Sequence, residues 1–369
     1  MNVKIGPKLK ALRKRSNITQ ERLAEALGVT SQAISKWESG SGYPDIEYIT
    51  PIANFFDVTI DYLFDNDIKS KRGIKIKDEN YWNATVEYME KSRKTGWNSD
   101  YFQFLIENVW KIDKPVNVVD FGCGRGFLGE IFLPLLPEGS TYTGIDMAGA
   151  LLKDAAEIFL NSPYKTTFIK EDLLEYQPIA KYDIAVCHAV LQHIPDSKRA
   201  LKKMRDSVVA GGKVICFEAD RNIANAGMYF NGIDYRQQNN LGILQKLWLS
   251  EFLNGGCDHN IGLKIPIYMQ EIGLKEIGVR SNDCVDFLNP EGDKEMYEKI
   301  YDSLVSGGWG VVHDNKHKFV NSLIARSLTA EEAEQQFDCE TILHDYVREN
   351  KESACIVNMS CQIISFGVV

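Results

Sequence analysis

The run Val116-Asn117-Val118-Val119-Asp120-Phe121-Gly122-Cys123-Gly124-Arg125-Gly126-Phe127-Leu128-Gly129 decides the fold. Its valines favour a buried strand, and the glycines that follow let the backbone turn sharply and come close to a ligand. A helix is expected over residues 127–136. The carboxylate of Asp120 at the strand end is informative, because an acid there would repel a pyrophosphate held at the helix N-terminus. It suits a ligand with a cationic part.

Downstream, the chain repeats this alternation. A second strand over residues 140–146 ends in Asp146, some twenty residues past the glycine loop, where an acid is placed to accept both hydroxyls of a ribose. A third strand, residues 166–170, leads into Glu171-Asp172-Leu173. The fourth begins at Tyr182 and runs into His188-Ala189-Val190-Leu191-Gln192-His193-Ile194-Pro195. A helix over residues 201–209, a Gly211-Gly212 turn and a fifth strand over residues 213–218 complete an α/β pattern with a doubly wound sheet.

In this order and spacing, residues 116–218 resemble the class I S-adenosylmethionine (SAM)-dependent methyltransferases. The run Gly124 to Gly129 also fits the dinucleotide pattern G-x-G-x-x-G, and the ordered set of motifs is what favours SAM. The resemblance implies a Rossmann-like seven-stranded sheet whose last strand inserts antiparallel beside the fifth. It also implies SAM as cofactor and S-adenosylhomocysteine (SAH) as product. By position, Asp120, Gly122, Cys123, Gly124 and Gly126 would lie against the amino-acid end of SAM, Asp146 and Met147 at the ribose, and Asp172 and Leu173 at the adenine. His188 and its neighbours would line the sulfur and the acceptor site. Methyl transfer from a sulfonium is an in-line displacement in which positioning supplies most of the effect. A base is needed only for a protonated acceptor, and His188, His193 and His259 are the candidates.

Residues 81–110 are aromatic-rich at helical spacing, with Gly96 between two halves that also include Val86 and Met89. In the family such helices close over the cofactor, which makes Tyr81, Tyr88 and Arg93 candidate contacts. Helical segments over residues 295–304, 319–328 and 331–349 precede a final strand over residues 354–369, and an insertion at this place usually covers the acceptor. Tyr229, Tyr235 and Trp309 are therefore expected in a partly aromatic acceptor pocket. The chain lacks an Asn/Asp-Pro-Pro-Tyr/Phe run and a Pro-Cys nucleophile, which disfavours DNA as the acceptor.

The N-terminal stretch reads differently. Residues 1–40 carry eight basic side chains against three acidic ones, and residues 41–70 reverse the balance. Thr19 caps an expected helix over residues 20–27 that stops at Gly28, and another starts at Ser31 with Ala33, Ile34 and Trp37 inward and Gln32, Ser35 and Lys36 outward. Residues 46–63 supply further helix, with Phe55 among its core side chains. Two short helices joined by such a turn form a helix-turn-helix. The run from Thr19 to Gly40, with Pro44 and the closing Val58 to Leu63, resembles the phage-repressor (Cro-like, Xre) family over residues 5–66. That resemblance implies a phosphate contact from Gln20 and a groove surface of Thr30, Ser31, Gln32, Ser35 and Lys36, and it makes double-stranded DNA a partner. A homodimer is expected, because paired half-sites multiply the affinity of one short recognition helix.

With 369 residues the chain has room for two domains. We read a helix-turn-helix domain over residues 1–66, a linker over 67–80 and a catalytic domain over 81–369, with its core in 112–290 and 354–369 and a helical insertion at about 291–353. The net charge of −9 argues against one large nucleic-acid surface. Eight scattered cysteines, none in C-x-x-C, read as reduced core thiols, and no metal is expected. No apolar run reaches membrane-spanning length and residues 1–10 lack a signal-peptide stretch, so the expected place is the cytoplasm, without a membrane partner. Two functions fit: transfer to a small-molecule acceptor (O- or N-methylation) coupled to transcriptional regulation, or a transcription regulator whose second domain only senses SAM or a metabolite.

Overall fold

A computed structural model describes residues 5–16, 18–56, 78–84, 97–178, 180–311, 315–359 and 361–369. Two compact units divide the chain, Met1–Ile74 and Lys75–Val369. The boundary falls inside the expected linker, most of which lies outside the described residues, as do Val58 to Leu63, Val86, Tyr88, Met89, Arg93 and Gly96. The end of that linker is helical instead. Asp78 accepts a hydrogen bond from the Tyr81 amide and so caps a short helix, Glu79–Asn83.

The first unit packs α1 (Ile5–Arg15), α2 (Gln20–Leu27), α3 (Ser31–Ser39) and α4 (Ile46–Phe55). Thr19 and Thr30 cap α2 and α3 by accepting from the amides of Arg22 and Ala33, and both helices end at left-handed glycines, Gly28 and Gly40. The core is Ile5, Leu9, Leu12, Leu23, Ala24, Ile34, Trp37, Ile49, Ile52 and Ala53. Phe55, expected inside, is 41% exposed at the end of α4.

The second unit is built on a seven-stranded sheet of order β3-β2-β1-β4-β5-β10-β7. Its strands are β1 (Asn117–Phe121), β2 (Thr141–Asp146), β3 (Lys165–Lys170), β4 (Tyr182–His188), β5 (Val208–Ala219), β7 (Lys275–Ser281) and β10 (Gln362–Val368). The first five run parallel, and β10 lies antiparallel between β5 and β7, as the family resemblance implies. Both faces are covered. One carries Phe102, Trp110, Leu128 and Phe132, and the other Leu201, Met204, Ile265 and Met269. This is the α/β class expected, with a small helical unit before it.

Two expectations change. The helix after β4 ends at Asp206 rather than at residue 209, and the glycine pair loops out of β5 between Val208 and Lys213, both of which pair with β4. The final strand is broken in two. β9 (Ile356–Met359) pairs with β6 (Met228–Phe230) and β8 (Val285–Leu288) in a separate sheet, and only β10 enters the main one. Around that small sheet, helices Lys294–Ser306 and Ala330–Glu349 bury Phe230, Leu288, Tyr301, Leu343 and Ile356 together. Helix Leu241–Leu253 packs Leu247 with Val320, Leu323 and Ala333. The residues after β5 thus share cores with residues 294–349.

Candidate functional site

The glycine loop is shaped by three left-handed glycines, Gly122 (φ 77°), Gly124 (φ 54°) and Gly126 (φ 86°). Amides of Gly122 and Cys123 donate to the Ile145 carbonyl at 2.8 and 3.0 Å, which ties the loop to the end of β2. Close packing also demands glycine nearby. A Cβ at Gly144 would lie 2.6 Å from Cys123 Sγ, and one at Gly122 would lie 2.5 Å from Val190 Cγ2. Gly122→Ala is accordingly expected to cost about 2–4 kcal/mol, from left-handed strain and overpacking together, a loss that urea unfolding would measure.

The loop opens on a cavity of about 230 Å³. All three sheet-tip acids, Asp120, Asp146 and Asp172, line it, together with Gly122, Cys123, Gly124, Met147, Leu173 and His188. Asp120 is buried, and its Oδ2 accepts from the Tyr142 hydroxyl at 2.5 Å. Asp146 accepts from the amides of Gly124 (2.9 Å) and Ala148 (2.8 Å), while burial, the larger influence, pushes its pKa up. Burial, reinforced by Asp120 and Asp146, pushes the Cys123 thiol up as well, so this cysteine stays neutral in the loop. Asp172 Oδ1 accepts from the Leu174 amide at 2.8 Å, a turn-closing role beside its place on the cavity. Gly126 is the one predicted loop residue off the lining; its Cβ position meets Phe159, so it turns the chain into helix Phe127–Phe132.

Of the three histidines, His188 and His193 reach the cavity and His259 does not. His188 is buried among Trp97, Phe127 and Phe217. His193 places Nδ1 3.4 Å from Cys257 Sγ and its ring 4.9 Å from Trp82. His259 is held elsewhere, with Nε2 2.6 Å from Glu251, whose other oxygen meets Arg326 at 2.5 Å. The aromatic positions also differ from expectation. Tyr229 and Tyr235 are 47% and 67% exposed, and Trp309 packs on Phe230 and His344. None of the three lines the cavity, because the residues around them bury their apolar faces in the core under the small sheet.

Sequence reasoning missed Trp82. Helix Glu79–Asn83 is pinned by Glu79 to Lys170 (2.6 Å) and by Asn83 Oδ1 to the Ala150 amide (3.0 Å), and this puts Trp82 on the cavity wall. Trp82 belongs to the aromatic stretch expected to close over the cofactor, but one turn of helix does not say which of its side chains faces the cavity.

In the first unit, Gln32, Ser35 and Lys36 are exposed on α3, with Thr30 exposed at its cap and Ser31 half-buried. Gln20 donates to Glu38 at 2.8 Å, in a cluster where Arg13 also binds Glu38. That bond orients the Gln20 amide at the start of α2.

Residues 9–63 match the helix-turn-helix family model, and residues 119–214 match the methyltransferase domain model. The HTH-type transcriptional activator BcrR of Enterococcus faecalis is 59% identical over 56 residues, 15% of this chain and 28% of that one. The ubiquinone biosynthesis O-methyltransferase of Escherichia fergusonii is 31% identical over 120 residues, 32% of this chain. The chain thus spans about half, 49%, of that relative's length. Among solved structures, phosphoethanolamine N-methyltransferase 2 of Haemonchus contortus aligns at 12% identity over 82% of this chain and 60% of that one, with a TM-score of 0.43. No helix among the described residues is long and apolar enough to cross a membrane.

Proposed function

We propose, since this chain joins an Xre-like helix-turn-helix domain to a methyltransferase domain, that it transfers a methyl group from SAM to a small-molecule acceptor and binds operator DNA as a homodimer to regulate transcription. The convergence of Asp120, Asp146 and Asp172 with the bare glycine loop on one cavity carries the reading. The residues suit the cofactor. At Gly124 a Cβ would meet no protein atom within 4 Å, so the backbone there leaves room for a ligand at the cavity. SAM supplies an electrophilic methyl on a sulfonium, a good leaving group.

The chain's own residues then bind and orient. Asp146 would accept the ribose hydroxyls and Asp172 the adenine amino group, while Asp120 sets a negative potential at the loop that favours a cationic amino-acid end. His188 and Trp82 exclude water from the walls. His193 is the better-placed base should the acceptor arrive protonated, because it lines the cavity with one ring nitrogen oriented by Cys257. O-methylation, the activity named for the ubiquinone-pathway relatives, is the first chemistry to assay.

Calorimetry should detect uptake of SAM and SAH, and SAH should be released in the presence of the acceptor. Tight SAM binding without turnover on any metabolite tested would instead favour a sensor domain. For the first unit, Gln32→Ala is expected to weaken binding to the chain's own upstream DNA roughly 10- to 100-fold, since a bidentate base contact is worth about 1–3 kcal/mol. Fluorescence anisotropy would read this, and an unchanged affinity would remove Gln32 from the groove. Light scattering that finds a monomer both free and on DNA would rule out the dimer.

A further inference from the structure

Glu218 lies on β5, fully buried, one residue before the strand ends. Its Oε1 accepts from the amides of Val190 at 2.9 Å and Leu191 at 2.7 Å, and the Cys187 thiol lies 3.8 Å away. Those amides belong to the segment that follows β4, which is bent sharply. Ala189 stands at φ 55°, in the left-handed region that disfavours any residue with a Cβ. Val190 is the side chain that presses on Gly122, and Ala189, Val190 and His193 line the cavity. A strained bend therefore forms one wall of the site, with a single carboxylate behind it.

We propose that Glu218 is a positioning residue for the cofactor: by gripping the Val190 and Leu191 amides it holds the Ala189 bend against the glycine loop, and its ionised form grips harder. The inference rests on the cofactor reading above and adds a control on affinity to it. A carboxylate accepts an amide hydrogen more strongly than a neutral carboxyl does. Burial pushes the Glu218 pKa up to about 7, the hydrogen bonds from Leu191, Val190 and Gln192 holding it from rising further. Grip and protonation thus exchange near neutral pH.

The groups facing Glu218 leave its carboxyl without a cationic partner among the described residues. The Cys187 thiol of β4 is pushed well up by burial and by its contact with Cys216, so it remains a neutral donor. Asp120, at the tip of β1, pushes the Cys187 thiol further up. Gln192 contributes only its backbone amide, and among the described residues Glu218 makes no salt bridge. Its Oε2 is buried without a hydrogen-bond partner among them.

The test is the affinity of the full chain for SAH, a neutral thioether whose own charge does not change at the sulfur, measured by calorimetry from pH 6 to 8. Wild type is expected to bind roughly fivefold more tightly at pH 8, about the effect of strengthening one hydrogen bond by its own worth. Glu218→Gln is expected to show a flat profile at the weaker level. A slope kept unchanged in Glu218→Gln would assign it to His188 or His193 and overturn the inference. If Glu218→Gln does not fold, a flat wild-type profile still overturns the inference, and a sloped one is checked in the double variant His188→Gln/His193→Gln, where a slope kept supports Glu218 and a slope lost overturns the inference. A lack of SAH uptake at every pH would overturn the cofactor reading and this one with it. Uptake with the wrong profile overturns this one alone.

Discussion

Asp146→Ala is expected to lower affinity for SAM and SAH roughly hundredfold, the largest single loss in the cofactor site. The carboxylate has two tasks in the fold, since it holds the Gly124 amide from the loop and the Ala148 amide at the start of the next helix. A third follows from the proposed function, as the acceptor for the ribose hydroxyls. Hydrogen bonds to a charged group contribute about 1.5–3 kcal/mol each, so losing one such contact and loosening the loop accounts for two decades in affinity. Asp146→Asn should be nearly as weak, because its amide nitrogen would face one of the two backbone donors. Calorimetry on both variants measures this directly. Binding within threefold of wild type would remove Asp146 from the nucleoside site.

The second large effect belongs to the first unit. Glu38→Ala is expected to unfold the helix-turn-helix and abolish DNA retardation while leaving SAH uptake in place. Glu38 is 3% exposed at its side chain and accepts from Arg13 Nε at 2.6 Å, from Arg13 Nη2 at 3.0 Å and from Gln20 at 2.8 Å. Removing it strands a guanidinium that is itself 13% exposed. Breaking one side of a buried pair costs about 3–5 kcal/mol, comparable to the whole stability of so small a core. Calorimetric unfolding should lose one transition and keep the other.

Acid and base should act on Glu38 and Glu218 in opposite directions. Burial pushes the Glu38 pKa up, but the hydrogen bonds from Arg13 and Gln20 outweigh it and leave it below its ordinary value of 4.5. Stability from this pair is therefore present above pH 4.5 and is lost as the pH falls through the lower folded value. Glu218 reverses the sign, because its folded pKa is raised to about 7. Its contribution is complete below pH 4.5 and fades as the pH rises through 7. Acidification is expected to remove the Glu38 contribution while it keeps that of Glu218.

While the antiparallel last strand came from the family resemblance, the strands as elements, the glycine loop, the acids at three strand tips and the Thr19 cap were legible in the residues. Each depends on local causes: β-branched runs, left-handed backbone that favours glycine, and hydroxyls that satisfy the first amides of a helix. The sequence by itself determined a methyltransferase-like sheet joined to a repressor-like head, and that Asp120, Asp146 and Asp172 would meet most of the glycine loop at one cavity. Only the tertiary structure decided which distant side chains join them. Trp82 arrives through a single turn pinned by Lys170 and Ala150, His259 is taken away by Glu251, and Glu218 reaches the bend after β4 from the neighbouring strand. The small sheet that parts β9 from β10 was equally hidden, since β9 pairs with β6 and β8, both remote from it along the chain. Such contacts leave no periodic trace along the chain, because packing and hydrogen bonding between remote segments select them after the local elements exist.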